Sequence, residues 1–212
     1  MGIRAANEIA RRILESVHAR GGCRILLSTG ASQFPMFDAL TKMDLPWDKV
    51  TMFHLDEYVG LPMSHPASFR KYLTERFIDK VHPGEVHLVS GEGDVQANIA
   101  ELTAALREAP IDIGVIGIGE NGHIAFNDPP ANVETREAYI VVNLDERCRM
   151  QQVGEGWFSG LSDVPGQAIS MTVWQILQCR CIISVVPDER KAEAVQKTLE
   201  APECTADRKS VV

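Results

Sequence analysis

Four polar side chains crowd into the end of an apolar run. The segment GVIGIGENGHIAFNDPP, residues 114–130, carries Asn121, His123, Asn127 and Asp128 within eight positions. A histidine with a carboxylate nearby can be oriented and kept protonatable near neutral pH, which suits general acid–base catalysis. A lone histidine is more often structural, but the glycines, the amide and the acid around this one favour a catalytic role.

A second apolar run, VTMFHLDEY at 50–58, ends with two adjacent acids, Asp56 and Glu57. Neighbouring residues of a strand face opposite ways, so the two carboxylates are predicted to do different jobs. One of them can point into a crevice at the end of the strand. A loop-capping acid or a solvated surface pair is the other interpretation that this short pattern allows.

The segment STGAS, residues 28–32, places hydroxyls and a glycine between a predicted strand and a predicted helix. Backbone N–H groups in such a turn can surround a phosphate. An ordinary turn with Ser32 as the helix cap would have the same sequence. The segment at 28–32 has no GxGxxG fingerprint. The sequence GIGENG at 117–122 comes too late in the chain for one, so a dinucleotide site is not indicated.

Basic side chains and a glycine-rich loop complete the candidate site. Lys191 lies in the first turns of a predicted helix, where a lysine can hold a phosphate or simply be solvated. Arg147 and Arg149 are either anion ligands or surface charges. The segment at 153–166 has glycines around an aromatic centre, which is typical of a lid, although an ordinary long loop looks similar.

These motifs need a scaffold, and alternating sequence patterns predict one. Short apolar runs predict strands at 24–30, 50–58, 86–91, 111–119, 139–144 and 181–186. Helical patterns predict helices at 3–20, 32–43, 67–79, 94–108, 168–178 and 188–200. This alternation is typical of an α/β fold, a Rossmann-like, doubly wound, mostly parallel sheet between helical layers, here in one domain spanning 1–212. Ligands bind such sheets at the carboxyl ends of the strands, so the three polar segments are predicted to line one pocket.

Composition excludes several classes of protein. With 45% hydrophobic and 24% charged residues, the chain of 212 residues is neither disordered nor collagen-like. A net charge of -8 disfavours a nucleic-acid partner. Five cysteines without paired ligand spacing predict reduced thiols and no metal site. The first helix does not resemble a signal peptide, and no apolar run approaches the roughly 20 residues of a membrane span, so we expect a cytoplasmic protein that does not bind membranes.

The motifs LDEYVGL, HPASF and GIGENGHIAFNDP resemble the glucosamine-6-phosphate deaminase/isomerase family, and the resemblance runs in order from STGAS to Lys191. In the same superfamily, 6-phosphogluconolactonases typically carry Asp-Glu-Arg where this chain has Asp56-Glu57-Tyr58. The sequences HIAFNDP and LDEY favour the deaminase branch. The resemblance implies a Rossmann-like fold, an amino-sugar phosphate substrate, no metal and no nicotinamide cofactor. The implied reaction converts glucosamine 6-phosphate to fructose 6-phosphate and ammonia.

The resemblance also implies roles for individual residues. Asp56 corresponds to the base that moves a proton between C2 and C1, and His123 to the group that opens the sugar ring. Asp128 stands where the family usually has a glutamate that supports the histidine, and Asn121 where some members have aspartate. The implied substrate-binding residues are Thr29, Gly30, Ala31, Ser32, Glu57, Gly122, Arg149 and Lys191.

The end of the chain departs from the family pattern. It reads APECTADRKSVV, whereas family members usually continue through a segment with a late strand, so the tail is expected to be truncated or divergent. The sequence leaves open whether the chain forms a homo-oligomer, because a truncated or divergent tail can remove a contact between subunits. A 6-phosphogluconolactonase-type hydrolase and a non-catalytic sugar-phosphate-binding protein are the alternatives to an active deaminase.

Overall fold

The apolar runs of the chain form strands in two sheets. The computed structural model describes residues 1–128, 130–154, 156–187 and 189–200. Its strands are β1 (Cys23–Leu27), β2 (Val50–His54), β3 (Asp56–Tyr58), β4 (Glu85–His87), β5 (Ile113–Ile116), β6 (Tyr139–Asn143), β7 (Gln167–Met171) and β8 (Cys181–Ser184). Strands β4, β2, β1, β5 and β8 lie side by side in that order and all pair in parallel. The chain reverses its direction of travel across the sheet between β1 and β5, which is where doubly wound sheets bind ligands.

Helices fill most of the intervals between the strands. They are α1 (Gly2–Arg20), α2 (Phe34–Leu40), α3 (Phe69–Leu73), α4 (Asp79–Val81), α5 (Val95–Arg107), α6 (Glu146–Gly154), α7 (Val173–Ile176) and α8 (Ala192–Glu200). Gly21 ends α1 with a φ of 79° and donates its N–H to the carbonyl of Val17, a left-handed cap that glycine adopts without strain. Asp94 begins α5 by accepting two backbone N–H groups.

Two apolar cores lie on opposite faces of the parallel sheet. On one face, Ile25 of β1 packs with Ile9 of α1 and Phe37 of α2. On the other face, Leu26 packs in the core that contains Leu102 of α5 and the inner side of β6 and β7. Successive residues of β1 therefore serve different cores, and the continuously apolar run of this strand follows from burial on both sides.

The helix predicted at 168–178 is wrong. Gln167–Met171 form β7, which pairs antiparallel with β3 on one side and with β6 on the other. Only Val173–Ile176 form a helical turn, which Thr172 caps by accepting the N–H of Gln175. The apolar spacing of so short a segment suits either structure, and pairing with two neighbouring strands decides between them.

The strand predicted at 139–144 forms, but in a different sheet from the one expected. β6 pairs with β7 in a small antiparallel sheet of order β3-β7-β6. The strand predicted at 50–58 divides at Leu55, so that β2 belongs to the large sheet and β3 to the small one. The small sheet and α5 together cover one face of the large sheet, where helices alone were predicted.

Other elements differ from the prediction in their extent. Residues 146–154, where no element was predicted, form α6, and the helix predicted at 67–79 divides into α3, a π-helical stretch at Thr74–Ile78, and α4. The start of the helix predicted at 188–200, one residue of the segment at 153–166 and the tail at 201–212 lie outside the described residues. Over the part of the chain that the structure describes, no helix has the length and apolar character needed to cross a bilayer.

Candidate active site

A cavity of about 430 Å³ opens at the carboxyl ends of β1, β2 and β5. Its wall includes residues 28–32 after β1, Asp56 after β2 and His123 after β5, together with Lys191 from the segment before α8. The structure therefore brings the three polar strand ends to one place. This is the location that the strand-end rule predicts.

Asp56 lies where the chain leaves the large sheet for the small one. The carbonyl of Leu55 accepts the N–H of Met171 at 2.8 Å, and Asp56 sits opposite Ser170 of β7. The side chain of Asp56 faces the cavity, although the residue is only 7% exposed. Burial first, and the nearby charge of Glu57 second, raise the pKa of Asp56 to about 8. A carboxyl group with this pKa exchanges protons near neutral pH, which suits acid–base chemistry.

Glu57 does not line the cavity, and its expected substrate-binding role stays a prediction. The side chain is fully buried and accepts hydrogen bonds from the hydroxyl of Ser68 at 2.7 Å and from the backbone N–H of Arg70 at 3.0 Å. Its other oxygen accepts the N–H of Tyr58. Glu57 thus anchors the start of α3, beside the residues at 66–69 that form part of the cavity wall.

His123 is held by two side chains of its own loop. Its Nδ1 lies 2.6 Å from Oδ1 of Asn121 and 3.5 Å from Oδ1 of Asp128. Asn121 in turn donates its Nδ2 to the same Asp128 oxygen at 2.9 Å. Because an amide oxygen can only accept, Nδ1 carries the proton and the lone pair of Nε2 is left to accept another. Asn121 and Asp128 therefore hold the His123 ring in one orientation.

The backbone of this loop is shaped closely around the imidazole ring. Gly119 donates its N–H to the carbonyl of His123 at 2.8 Å, and a Cβ atom at Gly119 would overlap the ring. Gly122 has a φ of 87° and Ala125 a φ of 53°. Positive φ in a residue other than glycine is a form of strain that clusters at active sites. Gly122 shapes the turn and is not part of the cavity wall, and its expected substrate contact stays a prediction.

β7 fixes the position of the His123 loop. Phe126 donates its N–H to the hydroxyl of Ser170 at 3.1 Å. Asn127 donates its Nδ2 to the carbonyls of Ile124 and Met171, each at 2.8 Å. Since β7 also pairs with β3, which begins at Asp56, one strand sets the histidine and the acid relative to each other. This is the strand that sequence patterns predicted to be helical.

The turn after β1 forms another part of the cavity wall. Thr29, Gly30, Ala31 and Ser32 line the wall there. Gly30 has a φ of 107°, and its carbonyl accepts a hydrogen bond from the hydroxyl of Tyr72 at 2.7 Å. This bond fixes the turn to α3. Lys191 and Arg190 also line the wall. A glycine turn with hydroxyls and two cations is suited to binding a phosphate.

Arg149 does not line the cavity, and its expected substrate contact stays a prediction. Its Nη2 donates to the carbonyl of Leu161 at 2.6 Å, which joins α6 to the loop that follows it. Sequence patterns did not separate Arg149 from the neighbouring Arg147, because a helix surface and an anion site look alike in a basic segment. The structure turns the guanidinium towards the loop instead.

Several residues of the cavity wall were missed. They are Gln151, Gln152, Trp157 and Arg190. The two glutamines lie in the last turn of α6, an element that was not predicted. Gln152 accepts a hydrogen bond from the hydroxyl of Tyr58 at 3.0 Å. Neutral amides give no signal in a sequence, whereas the position of Arg190 next to Lys191 could have been noticed.

The segment at 153–166, predicted as a lid, borders the cavity through Trp157. Phe158 stacks on His65 with ring centroids 5.3 Å apart, so the segment also contacts the loop before α3. Its mobility stays a prediction. In the described part of the chain, no group of three or more His, Cys, Asp or Glu side chains is arranged to hold a metal ion.

Comparisons with known proteins agree with this geometry. The family model described as glucosamine-6-phosphate isomerases/6-phosphogluconolactonase matches residues 1–209. A glucosamine-6-phosphate deaminase of an Exiguobacterium species is 37% identical over 176 residues, which are 82% of this chain and 68% of that protein. A glucosamine-6-phosphate deaminase of Streptococcus pneumoniae is 33% identical over 196 residues, which are 92% of this chain and 82% of that protein.

Solved structures show the same fold. A monomeric glucosamine-6-phosphate deaminase superimposes with a TM-score of 0.87 at 28% identity, covering 97% of this chain and 85% of that one. A 6-phosphogluconolactonase from Thermotoga maritima gives a TM-score of 0.77 at 14% identity, covering 92% of this chain and 84% of that one. The second likeness concerns the fold alone.

Proposed function

The chain belongs to the family of glucosamine-6-phosphate isomerases and 6-phosphogluconolactonases, and we propose that it converts glucosamine 6-phosphate and water to fructose 6-phosphate and ammonia. The observation that carries the proposal is the shared cavity of Asp56, His123 and the turn at 29–32. A proton-exchanging acid, an oriented histidine and an anion-binding turn are the groups that this reaction needs.

Ring opening is the first step, and His123 performs it. Its Nε2 takes the proton of the C1 hydroxyl and delivers it to the ring oxygen as the C1–O5 bond breaks, which leaves the aldehyde at C1. Asn121 holds the protonated Nδ1 at 2.6 Å, so the ring keeps one orientation and one tautomer during the transfer.

Isomerisation and deamination follow, with Asp56 as the base. Asp56 removes the proton from C2, the C1 oxygen takes a proton from the ammonium group on C2, and an enolamine forms. Asp56 returns its proton to C1, which leaves an iminium at C2. Water adds there and passes a proton to nitrogen, and ammonia departs as C2 becomes the carbonyl. The positively charged amino group on C2 of the substrate lowers the pKa of a nearby carboxyl group. The substrate itself therefore favours the ionised form of Asp56, whose pKa burial otherwise holds at about 8.

Ammonia release from glucosamine 6-phosphate tests the proposal. The wild-type protein should release ammonia and exchange the C2 proton with deuterated solvent. Asp56→Asn should bind the substrate but lose on the order of 10²–10⁴ in both rates, as loss of a general base does. Binding without ammonia release by the wild type would indicate a sugar-phosphate-binding protein, and hydrolysis of 6-phosphogluconolactone instead would indicate a lactonase.

A further inference from the structure

We propose that Arg190 is the arginine that recognises the substrate phosphate in this cavity, and that Glu120 positions it. The inference rests on the proposed function, because it concerns how the same site binds the phosphate group of the substrate. It assigns to Arg190 the role that sequence resemblance gave to Arg149. It also gives Glu120, from the turn before His123, a role in binding.

The acidic and basic side chains of the cavity wall come from different elements. Among the described residues of the wall, those other than His123 are Asp56, Arg190 and Lys191. Asp56 lies at the end of β2, where the proton chemistry is proposed, and the two cations lie next to each other before α8. An anionic group of a substrate is drawn to the two cations.

Arg190 suits a phosphate better than Lys191 alone does. A guanidinium offers five N–H donors in a planar fork that can bind two phosphate oxygens at once, whereas an ammonium acts as a point charge. The side chain of Arg190 is 67% exposed, so a ligand entering from solvent reaches it without a change of fold. Arg149 is not among the residues of the cavity wall, and its Nη2 donates to the carbonyl of Leu161.

Glu120 holds Arg190 from one side. Its Oε1 lies 3.6 Å from Nη1 of Arg190, and the Glu120 side chain is 42% exposed. Exposed ion pairs contribute little to stability, so we assign this pair to orientation of the guanidinium rather than to folding. Because Glu120 adjoins the Gly119 turn around His123, the pair also links the proposed phosphate contact to the segment that carries His123.

Replacement of Arg190 tests the first half of the proposal. Arg190→Ala should raise the KM for glucosamine 6-phosphate about 10- to 100-fold, as loss of a charge-assisted contact does, with kcat within about threefold of wild type. Arg190→Lys should recover part of the loss. Lys197→Ala removes one positive charge from an exposed, Glu193-paired position on α8, and this matched control should leave KM unchanged. A KM of Arg190→Ala equal to that of wild type would overturn the assignment.

A double-mutant cycle tests the positioning role of Glu120. Glu120→Gln keeps the size of the side chain and should raise KM about two- to fivefold in the wild-type background. In the Arg190→Ala background the same change should have no effect, because its target is gone. Equal effects in both backgrounds would mean that Glu120 acts on the His123 turn and not through Arg190.

Direct binding of inorganic phosphate separates this inference from the proposed function. Calorimetry should show phosphate binding to the wild type that weakens about 10-fold or more in Arg190→Ala and is unchanged in Lys197→Ala. If the wild type releases no ammonia but shows this pattern, the deaminase proposal fails and the assignment of Arg190 stands. If phosphate binds equally to wild type and Arg190→Ala, the assignment of Arg190 is wrong whatever the reaction.

Discussion

Replacing Asp56 with asparagine should make the protein more stable while removing its proposed base. The amide keeps the shape of the side chain but cannot ionise. In the wild type, burial first and the charge of Glu57 second raise the pKa of Asp56 from 3.8 to about 8. The folded protein therefore resists the charged form that an unfolded chain accepts readily. Asparagine escapes this cost.

The size and sign of the effect follow from proton binding. Between the two pKa values, 3.8 and about 8, the folded state keeps a proton that the unfolded chain has released, so wild-type stability falls as pH rises. At ~1.4 kcal/mol for each tenfold change in the acid constant, the full window corresponds to roughly 5–6 kcal/mol. The destabilisation of the wild type by ionisation of Asp56 is about 1–2 kcal/mol at pH 5 and reaches the full value, roughly 5–6 kcal/mol, at pH 9. The advantage of Asp56→Asn should grow by about 4 kcal/mol over that range.

Urea unfolding of both proteins at pH 5, 7 and 9 measures this difference. Asp38→Asn makes the same chemical change on the exposed surface of α2 and sets the baseline for an aspartate-to-asparagine substitution. The free energy of unfolding of Asp56→Asn minus that of wild type should rise steadily with pH. A difference that stays constant, or a wild type that is the more stable protein at pH 9, would refute the claim that folding disfavours the ionised Asp56.

Three further predictions concern the histidine and its surroundings. His123→Gln should slow ammonia release from the closed sugar, and an open-chain analogue that can enolise should recover part of its C2 exchange; no recovery would argue against a ring-opening role. Gly119→Ala should lower kcat about 100-fold with the fold intact by circular dichroism, because the added methyl group displaces the imidazole; an unchanged kcat would contradict the close fit. Hydrogen exchange at 153–166 should slow when a sugar phosphate binds, whereas equal exchange with and without ligand would exclude a lid.

The strand ends were predictable because each combines two strong signals. A continuously apolar run predicts a buried parallel strand, and the polar residues that follow it mark the edge where ligands bind. Asp56 and His123 were found this way, and the opposite directions of Asp56 and Glu57 follow from the strand period. Which acid of the pair faces the cavity came from the family resemblance alone, because strand direction does not say which side holds a ligand.

The residues that were missed or misplaced depend on contacts between distant segments. β7 was predicted as a helix because its pairing with β3 and β6 is invisible in its own short sequence. Arg149 was named from the family resemblance and Arg190 was not considered, and the bond from Arg149 to the carbonyl of Leu161 is visible only in the folded chain. Gln152 reaches the wall through Tyr58, a contact between residues far apart in the chain.

The passage of the chain from one sheet to the other at Leu55 limits how this scaffold can diverge. An insertion or deletion of one residue there would turn Asp56 to the opposite face and shift the register of β3 with β7 together. Gln151, Gln152 and Trp157 lie on a helix end and a loop, which tolerate exchange. Proteins that evolve from this scaffold can change their substrate while they keep the proposed proton chemistry. Libraries aimed at a new preference should vary this rim and preserve residues 55–58.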